Sequence, residues 1–308
     1  MKKVNILVIG GTGFLGSCLV SRLLKEGHAV KVFSRGNSKS IQTHVNVEYI
    51  EGDIIKSDKL NSLFDKIDYV YYFASTTNPK SSENDLIFDL SSNLIPFISI
   101  LNKCVENNIK KFIFCSSGGT VYGNNNKMPL SENSLCKPIS SYGLVKLNME
   151  FYIKYFNRKY NLSYDILRLS NPYGVNNLSK SLSGIIPTYI NNIVSDNEIK
   201  VYGNGDIVRD YVYVEDFIDL NLELLTTQEK NNIMNVGSGK GTSISELIKK
   251  IESVVGRKAR IEYLPKREFD VDKNVLKITK VRDIYGWEPK ISLSEGIKRT
   301  FHWMKGLK

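Results

Sequence analysis

A glycine-rich turn near the start of the chain constrains the fold more than any other stretch. An apolar, mostly branched run at residues 4–9 stops at glycines, and a segment with helical apolar spacing follows directly. This order predicts a strand, a tight turn and a helix whose N-terminus presents backbone N–H groups to a phosphate. Gly10 permits the bend, Gly13 lets a pyrophosphate approach the backbone, and Gly16 lets the helix pack on the strand. The turn therefore predicts a dinucleotide site.

Strands and helices alternate along the first 174 residues. The apolar spacing predicts strands at 4–9, 29–33, 45–51, 69–73, 111–115 and 164–169, and helices at 14–26, 60–64, 85–107 and 141–160. Such alternation favours right-handed crossovers and a parallel sheet that is covered on both faces. The predicted fold class is therefore α/β, with a Rossmann-type doubly wound parallel sheet.

The pattern changes after residue 174, where segments shorten and loops become rich in Asn, Gly and Ser. Short strands are predicted at 199–202, 233–236 and 260–263, and helices at 185–195, 244–255 and 293–304. We interpret this part as a smaller, mixed α/β C-terminal substrate domain at the carboxyl ends of the large sheet. The predicted domains are 1–174 for the dinucleotide, rejoined by about 207–238 with its helix at 216–225, and 175–206 with 239–308 for the substrate.

Composition narrows the classes of partner. The chain has 42 Lys and Arg against 32 Asp and Glu, a formal net charge of +10, without a block of like charges. We therefore expect no nucleic-acid partner, and the modest positive field suits small molecules that carry phosphate. The four cysteines lack metal-ligand spacing, so we expect free thiols and no metal site. Since no signal peptide or membrane-spanning run is present, a cytoplasmic protein without a membrane partner is predicted.

The end of the second strand bears on the choice of cofactor. In dinucleotide folds an acid there hydrogen-bonds the ribose 2′-hydroxyl, whereas a nearby Arg accommodates a 2′-phosphate. Here the strand ends in Ser34-Arg35, with no acid. Arg35 either stacks on adenine, pairs with a phosphate or lies on the surface. These residues favour NADP(H), or tolerance of both cofactors.

Tyr142 and Lys146 form a candidate catalytic pair. They are four residues apart near the start of a helix, so both project from one face. A lysine ammonium, helped by the positive charge of a nicotinamide, is expected to lower the pKa of the tyrosine towards a useful range. The pair alone is a weak signal. It gains weight because it follows a nucleotide turn and a strand that ends in Ser116-Ser117.

An ordered set of motifs resembles the extended short-chain dehydrogenase/reductase family, and within it the NAD-dependent nucleotide-sugar epimerase/dehydratase branch. The set spans nearly the whole chain, which makes it far more specific than any one member. Its members are Gly10-x-x-Gly13-x-x-Gly16, the stretch Ser-Ser-Gly-Gly-Thr-Val-Tyr-Gly at 116–123, Tyr142-x-x-x-Lys146, Leu-Arg-Leu-Ser-Asn-Pro-Tyr-Gly at 167–174, Val-Arg-Asp-Tyr-Val at 208–212, and Arg-Glu-Phe-Asp-Val at 267–271.

The resemblance implies roles for residues at matching positions. The cofactor would contact the glycine turn, the end of the second strand, the residues after the third and fourth strands, and the catalytic pair. These residues are Gly10, Gly13, Phe14, Leu15, Gly16, Ser34, Arg35, Asp53, Ile54, Phe73, Ala74, Ser75, Asn93, Ser116, Tyr142 and Lys146. A nucleotide-diphosphate sugar would be held at its diphosphate by Asn171, Arg209 and Arg267, at its base by Tyr202, and at its ribose by Asp270.

The chain departs from the family pattern at the catalytic serine or threonine. That position is Gly118, so Ser117, Thr120 or water would contact the reacting sugar oxygen instead. Dehydratases of this branch carry an Asp-Glu pair at the positions of Gly119 and Thr120. Without those carboxylates, 4,6-dehydration lacks its acid and base. The resemblance therefore does not extend to dehydratase activity.

Three functions follow from these features. The first is a 4-epimerase of a UDP-hexose or UDP-N-acetylhexosamine that works through a transient 4-keto sugar with bound NAD. The second is an NADPH-dependent reductase of a nucleotide-linked 4-keto-6-deoxyhexose, which Ser34-Arg35 favours. The third is a non-catalytic dinucleotide-sensing protein, which would need neither Tyr142 nor Lys146. The overall motif pattern favours the epimerase.

Two long helices carry apolar residues beyond one face, and in the family such helices pair with their copies as a four-helix bundle. The resemblance therefore implies a homodimer, and the alternative is that these side chains are buried within one subunit. The residues are Ile87, Phe88, Ile95 and Ile98 in the first helix, and Phe151, Tyr152, Tyr155 and Phe156 in the second.

Overall fold

The computed structural model describes residues 3–35, 47–55, 60–124, 127–175 and 184–306. In chain order its strands are β1 (Asn5–Ile9), β2 (Ala29–Ser34), β3 (Val47–Glu51), β4 (Tyr69–Tyr72), β5 (Lys111–Ser117), β6 (Tyr164–Leu169), β7 (Asn171–Tyr173), β8 (Glu198–Tyr202), β9 (Val208–Tyr213), β10 (Asn232–Val236), β11 (Gly241–Ser243) and β12 (Arg260–Leu264). Its α-helices are α1 (Phe14–Lys25), α2 (Leu60–Leu63), α3 (Leu86–Glu106), α4 (Ser141–Tyr160), α5 (Ile185–Val194), α6 (Val214–Thr226), α7 (Ile244–Val255), α8 (Thr279–Tyr285) and α9 (Leu293–Lys305), and a 3₁₀ turn spans Ser81–Asn84.

The central feature is a seven-stranded sheet with the order β10-β6-β5-β4-β1-β2-β3. Every neighbouring pair is parallel, with β1 between β2 and β4. The chain order reverses direction between β1 and β4, which is where doubly wound folds leave a crevice at the carboxyl ends of their strands. The predicted α/β class with a Rossmann-type parallel sheet is confirmed.

Alternating side chains of the strands build two apolar layers, one on each face of this sheet. Ile6 and Val8 of β1 pack on one face with residues of α1 and α6, such as Phe217. Leu7 and Ile9 of the same strand pack on the opposite face with α3 and α4. Because successive strand residues point to opposite faces, a continuous apolar strand serves both layers at once.

A third core joins the shorter elements of the second half. β11, β9 and β7 form a three-stranded sheet, and β12 pairs in parallel with β8. Ile190, Leu247 and Phe301 bring α5, α7 and α9 together over these strands. The helix expected at 216–225 is α6, which packs on the large sheet with α1. The domain boundaries stay a prediction.

Several details differ from the sequence expectations. Val45, in the predicted third strand, lies outside the described residues, and the helix expected at 60–64 is a single turn. β7, β9, β11 and α8 were not predicted from the sequence. The three strands form one sheet by pairing segments that lie far apart in the chain, which local spacing does not show.

The described part of the chain has neither a membrane-spanning helix nor a metal-binding cluster. There, no helix has the length and apolarity needed to cross a bilayer. No group of three or more His, Cys, Asp or Glu residues in that part is arranged to hold a metal ion. All four cysteines are free thiols.

Candidate active site in two adjoining clefts

The first cleft lies at the carboxyl ends of β1, β2 and β4 and has a volume of about 280 Å³. It brings together most of the residues expected at the cofactor. These are Gly10, Gly13, Ser34, Arg35, Asp53, Ile54, Phe73, Ala74, Ser75 and Asn93. The topological switch point thus coincides with the predicted dinucleotide residues.

The glycine turn has the geometry that a pyrophosphate needs. Gly10 has a φ of +85°, and a Cβ there would lie 2.7 Å from the Ala74 backbone nitrogen. A Cβ at Gly16 would overlap the Gly10 carbonyl oxygen, so that glycine permits close packing of α1 on the turn. Gly13 is the N-cap of α1, and no side chain caps the first turn. The amides at the start of α1 therefore suit an anion, and the residues fit a bound dinucleotide.

The end of this cleft where the adenosine ribose would lie carries the hydroxyls of Thr12 and Ser34 and the guanidinium of Arg35. The Ser34 and Thr12 hydroxyls are hydrogen-bonded to each other, and the Arg35 side chain is exposed at the rim. Asp53 Oδ1 accepts a hydrogen bond from the Ile55 backbone at 3.0 Å. Because β2 itself ends without a carboxylate, nothing in that strand repels a 2′-phosphate.

The second cleft is larger, about 650 Å³, and adjoins the first at the start of α1, where Phe14 follows Gly13. The residues expected at the substrate and at the reacting atoms come together here from distant parts of the chain. They are Ser117, Thr120, Tyr142, Asn171, Tyr202, Arg209, Arg267 and Asp270. A single cavity thus joins the tyrosine of α4 to the cations of the smaller region.

Two arginines give the far end of the second cleft a positive character. Arg267 pairs with Asp270 at 2.7 Å, and its guanidinium carbon lies 4.1 Å from the centre of the Tyr202 ring. Burial lowers the pKa of Arg209, and the nearby Arg267 cation lowers it further, whereas Asp270 opposes this shift. A diphosphate placed here would relieve the repulsion between the two guanidinium groups.

The catalytic pair lies at the start of α4, against the end of β5. The Ser140 hydroxyl caps the helix by accepting a hydrogen bond from the Gly143 backbone at 3.2 Å. Lys146 is buried, and its Nζ donates to the Cys115 carbonyl oxygen at 3.2 Å. The same Nζ lies 5.6 Å from the centre of the Tyr142 ring. Tyr142 and Lys146 therefore do share one face of the helix.

In the protein without a bound dinucleotide, burial outweighs the effect that is expected of Lys146 on the pKa of Tyr142. Burial raises the pKa of Tyr142, and the neighbouring Cys115 and Asp89 raise it further. Burial also lowers the pKa of Lys146. Desolvation of the phenolate outweighs the attraction of one ammonium that is itself desolvated. Whether a nicotinamide reverses this balance stays a prediction.

Packing explains the glycine at position 118. A Cβ there would lie 2.7 Å from the Arg168 carbonyl oxygen and 2.6 Å from Leu276 Cδ1. The backbone of β6 thus leaves no room for a serine or threonine. Ser117 lines the second cleft, as does Thr120, whose buried Oγ1 has no hydrogen-bond partner among the described residues. Both residues line the same cavity as Tyr142.

Some predicted residues lie outside both clefts. Ser116 is buried, and its hydroxyl donates to Glu150 Oε1 at 2.6 Å rather than facing a cleft. Leu15 packs against the core layer of α1, and Lys146 is buried behind Tyr142. These residues pack behind the side chains that line the clefts.

Other lining residues were missed by the sequence analysis. The second cleft also contains Lys80, Ser170, Tyr189 and Tyr211. Tyr211 shares its strand face with Arg209, so the two-residue period of β9 was a usable signal. Lys80 and Ser170 lie between elements, where no periodicity marks them.

Comparisons with known proteins agree with this geometry. The model of the NAD dependent epimerase/dehydratase family matches residues 6–237. A putative UDP-glucose 4-epimerase of Methanocaldococcus jannaschii is 37% identical over 97% of this chain and 98% of the relative. A dTDP-4-dehydro-6-deoxyglucose reductase of Escherichia coli is 28% identical over 97% of this chain and 96% of the relative. The structure of UDP-glucose 4-epimerase with UDP-glucose from Thermotoga maritima has a TM-score of 0.92 and 35% identity, covering 99% of this chain and 100% of that one.

The family match spans the large sheet, the glycine turn and the tyrosine–lysine pair. That match also includes Arg209, and the relatives extend the similarity to Arg267 and the rest of the smaller region. Fold, clefts and sequence similarity all lead to one assignment: the chain belongs to the NAD dependent epimerase/dehydratase family.

Proposed function

We propose that the protein is a nucleotide-diphosphate-sugar 4-epimerase acting on a UDP-hexose or a UDP-N-acetylhexosamine. The observation that carries the proposal is the second cleft, which places Tyr142 in one cavity with Arg209 and Arg267. Relatives named as UDP-glucose 4-epimerases over nearly full length support it. The family is NAD-dependent, and the glycine turn of the first cleft fits that cofactor.

The chemistry assigned to the chain is proton transfer and orientation. When bound, NAD would supply a reversible hydride acceptor. Tyr142 takes the proton of the 4-hydroxyl as C4 gives up its hydride, which leaves a 4-keto sugar. After the sugar turns, C4 regains the hydride on its opposite face as Tyr142 returns the proton to the 4-oxygen. Arg209 and Arg267 hold the diphosphate throughout, so the substrate stays bound while its hexose rotates. The cycle ends without net oxidation.

Conversion of candidate substrates tests this function. Purified protein is incubated with UDP-glucose and separately with UDP-N-acetylglucosamine, without added cofactor, and the C4 epimers are measured. Conversion of either is expected, and Tyr142→Phe is expected to reduce kcat by about 10²–10⁴-fold because it removes the acid–base group. Undiminished turnover by Tyr142→Phe would contradict the proton-transfer role. Absence of both epimers would contradict the proposed substrates.

A second candidate is the NADPH-dependent reductase of a nucleotide-linked 4-keto-6-deoxyhexose. The acid-free end of β2, with Ser34 and Arg35, is the observation that favours it, together with the Escherichia coli relative. Oxidation of NADPH that depends on such a keto sugar would support this candidate over the epimerase. Arg35→Ala should then weaken binding of NADP⁺ more than that of NAD⁺, as measured by calorimetry. A non-catalytic sensor would show neither activity, although it would retain binding of the dinucleotide.

A homodimer is part of the proposal. α3 and α4 pack side by side and leave apolar side chains in water, with Ile87 82% and Phe151 53% exposed. Phe156 is buried within the subunit, but Phe88, Ile95, Tyr152 and Tyr155 are exposed as well. A contiguous apolar face on two long helices is typical of a self-association surface. We also place the protein in the cytoplasm, where its free cysteines would stay reduced.

A further inference from the structure

A buried carboxylate lies next to the catalytic pair and belongs to neither cleft lining. Asp89 of α3 is fully buried. Its Oδ2 accepts a hydrogen bond from the Ser141 hydroxyl at 2.6 Å, and its Oδ1 accepts from Asn93 Nδ2 at 3.1 Å and from the Thr77 hydroxyl. All of these donors are neutral groups. A buried carboxylate is costly to desolvate, so its retention needs these bonds and invites a functional explanation.

The bonds of Asp89 connect the walls of both clefts. Thr77 follows the cofactor-side segment after β4, where Asn93 Oδ1 also accepts from the Thr76 backbone at 2.9 Å. Ser141 is the first residue of α4 and directly precedes Tyr142. One carboxylate therefore ties the cofactor-side wall to the residue before the catalytic tyrosine.

The 3₁₀ turn that leads into α3 fixes the same point of α4. Glu83 Oε1 accepts a hydrogen bond from the Ser141 backbone at 2.8 Å, and the Ser82 hydroxyl accepts from the Tyr142 backbone at 3.2 Å. The orientation of the tyrosine is thus set largely by the chain around α3. Asp89 differs from these contacts because it brings a buried charge.

Several charged or titratable groups face the pair. Tyr142 has Cys115 of β5 and Asp89 of α3 as neighbours that raise its pKa in addition to burial. Lys146 has Cys115, Asp89 and Glu150 as neighbours that raise its pKa against the lowering by burial. Cys115 and Asp89 are common to both residues. Burial raises the pKa of the Cys115 thiol to about 11, and the charge of Asp89 favours the protonated form of both Tyr142 and Lys146.

We propose that Asp89 is a positioning residue that orients Tyr142 through Ser141 and fixes a buried negative charge beside the catalytic pair. The role rests on the proposed function, in which Tyr142 must return the proton that it takes. A tyrosine whose phenolate is too stable would be a poor acid in the return step. Asp89 keeps the proton exchange reversible.

Asp89→Asn removes the charge and can keep the same hydrogen-bond partners. The amide oxygen can accept from Thr77 and Asn93. The amide nitrogen can donate to the Ser141 hydroxyl, which reverses the direction of that bond. We expect the acidic limb of the kcat–pH profile to move to lower pH by roughly half a unit, the scale of one charge acting through a partly polar interior. Ser141→Ala keeps the charge, so it should lower kcat without moving the limb. Glu106→Gln, an exposed charge at the far end of α3, should change neither.

A measurement that needs no turnover separates this inference from the proposed function. Protein with NAD bound is labelled with ¹³Cζ-tyrosine, and the Tyr142 resonance is assigned by its loss in Tyr142→Phe. The resonance should titrate at lower pH in Asp89→Asn than in the wild-type chain. Should Asp89→Asn not fold, Asp89→Ser serves as the charge-removing variant. The proposal would be overturned if the Tyr142 resonance titrated at the same pH in Asp89→Asn and in the wild-type chain, or did not titrate in either folded protein. It would also be overturned if Ser141→Ala shifted the titration as much as Asp89→Asn does.

Discussion

At the scale of single residues, the packing behind the second cleft determines which positions can carry a reactive hydroxyl. Gly118 has no room for a side chain because β6 passes directly behind it. Hydroxyls occur directly before this glycine, at Ser117, and two residues after it, at Thr120. Both residues line the second cleft. A sugar oxygen that gains negative charge as its proton leaves needs a donor there. Ser117 or Thr120 would provide that bond in place of residue 118.

Replacement of each hydroxyl distinguishes the two. A hydrogen bond to a charged group is worth about 1.5–3 kcal/mol. Ser117→Ala is therefore expected to lower kcat by roughly 10- to 100-fold. KM should change little, because the arginines hold the diphosphate independently. Thr120→Val is the matched variant, and steady-state assays with the converted UDP-sugar provide the comparison. If Thr120→Val carries the loss and Ser117→Ala does not, the assignment passes to Thr120.

At the scale of elements, α4 is attached to the sheet by a buried ion pair. Arg168 of β6 donates to Glu150 of α4 through Nη2 at 2.7 Å and Nε at 3.0 Å, and Ser116 donates to the same carboxylate. The Tyr122 hydroxyl accepts from Arg168 Nη1 at 2.9 Å. Glu150 lies one turn after Lys146 on α4. The Arg168–Glu150 ion pair therefore sets how the part of α4 that carries Lys146 packs on β5 and β6.

Removal of one partner should be far more damaging than removal of both. Arg168→Met leaves the Glu150 carboxylate buried and unpaired, and we expect it to reduce the free energy of unfolding by about 3–5 kcal/mol. The double variant Arg168→Met with Glu150→Met should recover much of that loss. Urea unfolding followed by circular dichroism measures both. A double variant as unstable as the single one would show that the shape of the pair, and not its charge balance, holds the helix.

Elements with strong periodicity were predictable, whereas the three-stranded sheet of β7, β9 and β11 was not. The alternating strands and helices up to β6, and the glycine turn, follow from local spacing alone. β9 and β11 depend on pairing with each other, which local spacing does not encode. The bond between Ser116 and Glu150, like the close approach of Gly118 to Arg168, joins positions that are distant in sequence. The balance that raises the pKa of Tyr142 depends on burial, which only the assembled structure reveals.

At the scale of the whole molecule, the fold joins two specialised parts. The large sheet carries the first cleft, which fits a dinucleotide, and the second cleft is lined by Tyr142 and by the two arginines that are proposed to hold a diphosphate. The exposed apolar side chains of α3 and α4 line neither cleft.

The homodimer makes a separate prediction. Ile87→Asp or Phe151→Asp places a carboxylate in the proposed apolar interface, and burial of that charge would be strongly unfavourable. Sedimentation equilibrium at micromolar concentration should show dimers for the wild-type chain and monomers for both variants. Glu223→Asp on α6 conserves charge away from this face and should remain dimeric. Monomeric wild-type protein would contradict the dimer.

In the proposed reaction, C4 of the sugar loses and regains the same hydride. UDP-glucose carrying deuterium at C4 is therefore incubated with the protein, without added cofactor, and the product is examined by NMR and mass spectrometry. We predict a C4 epimer that retains the deuterium at C4, formed without net change in the bound cofactor. Loss of the deuterium to solvent, or product formation that consumes added NADPH, would contradict the account.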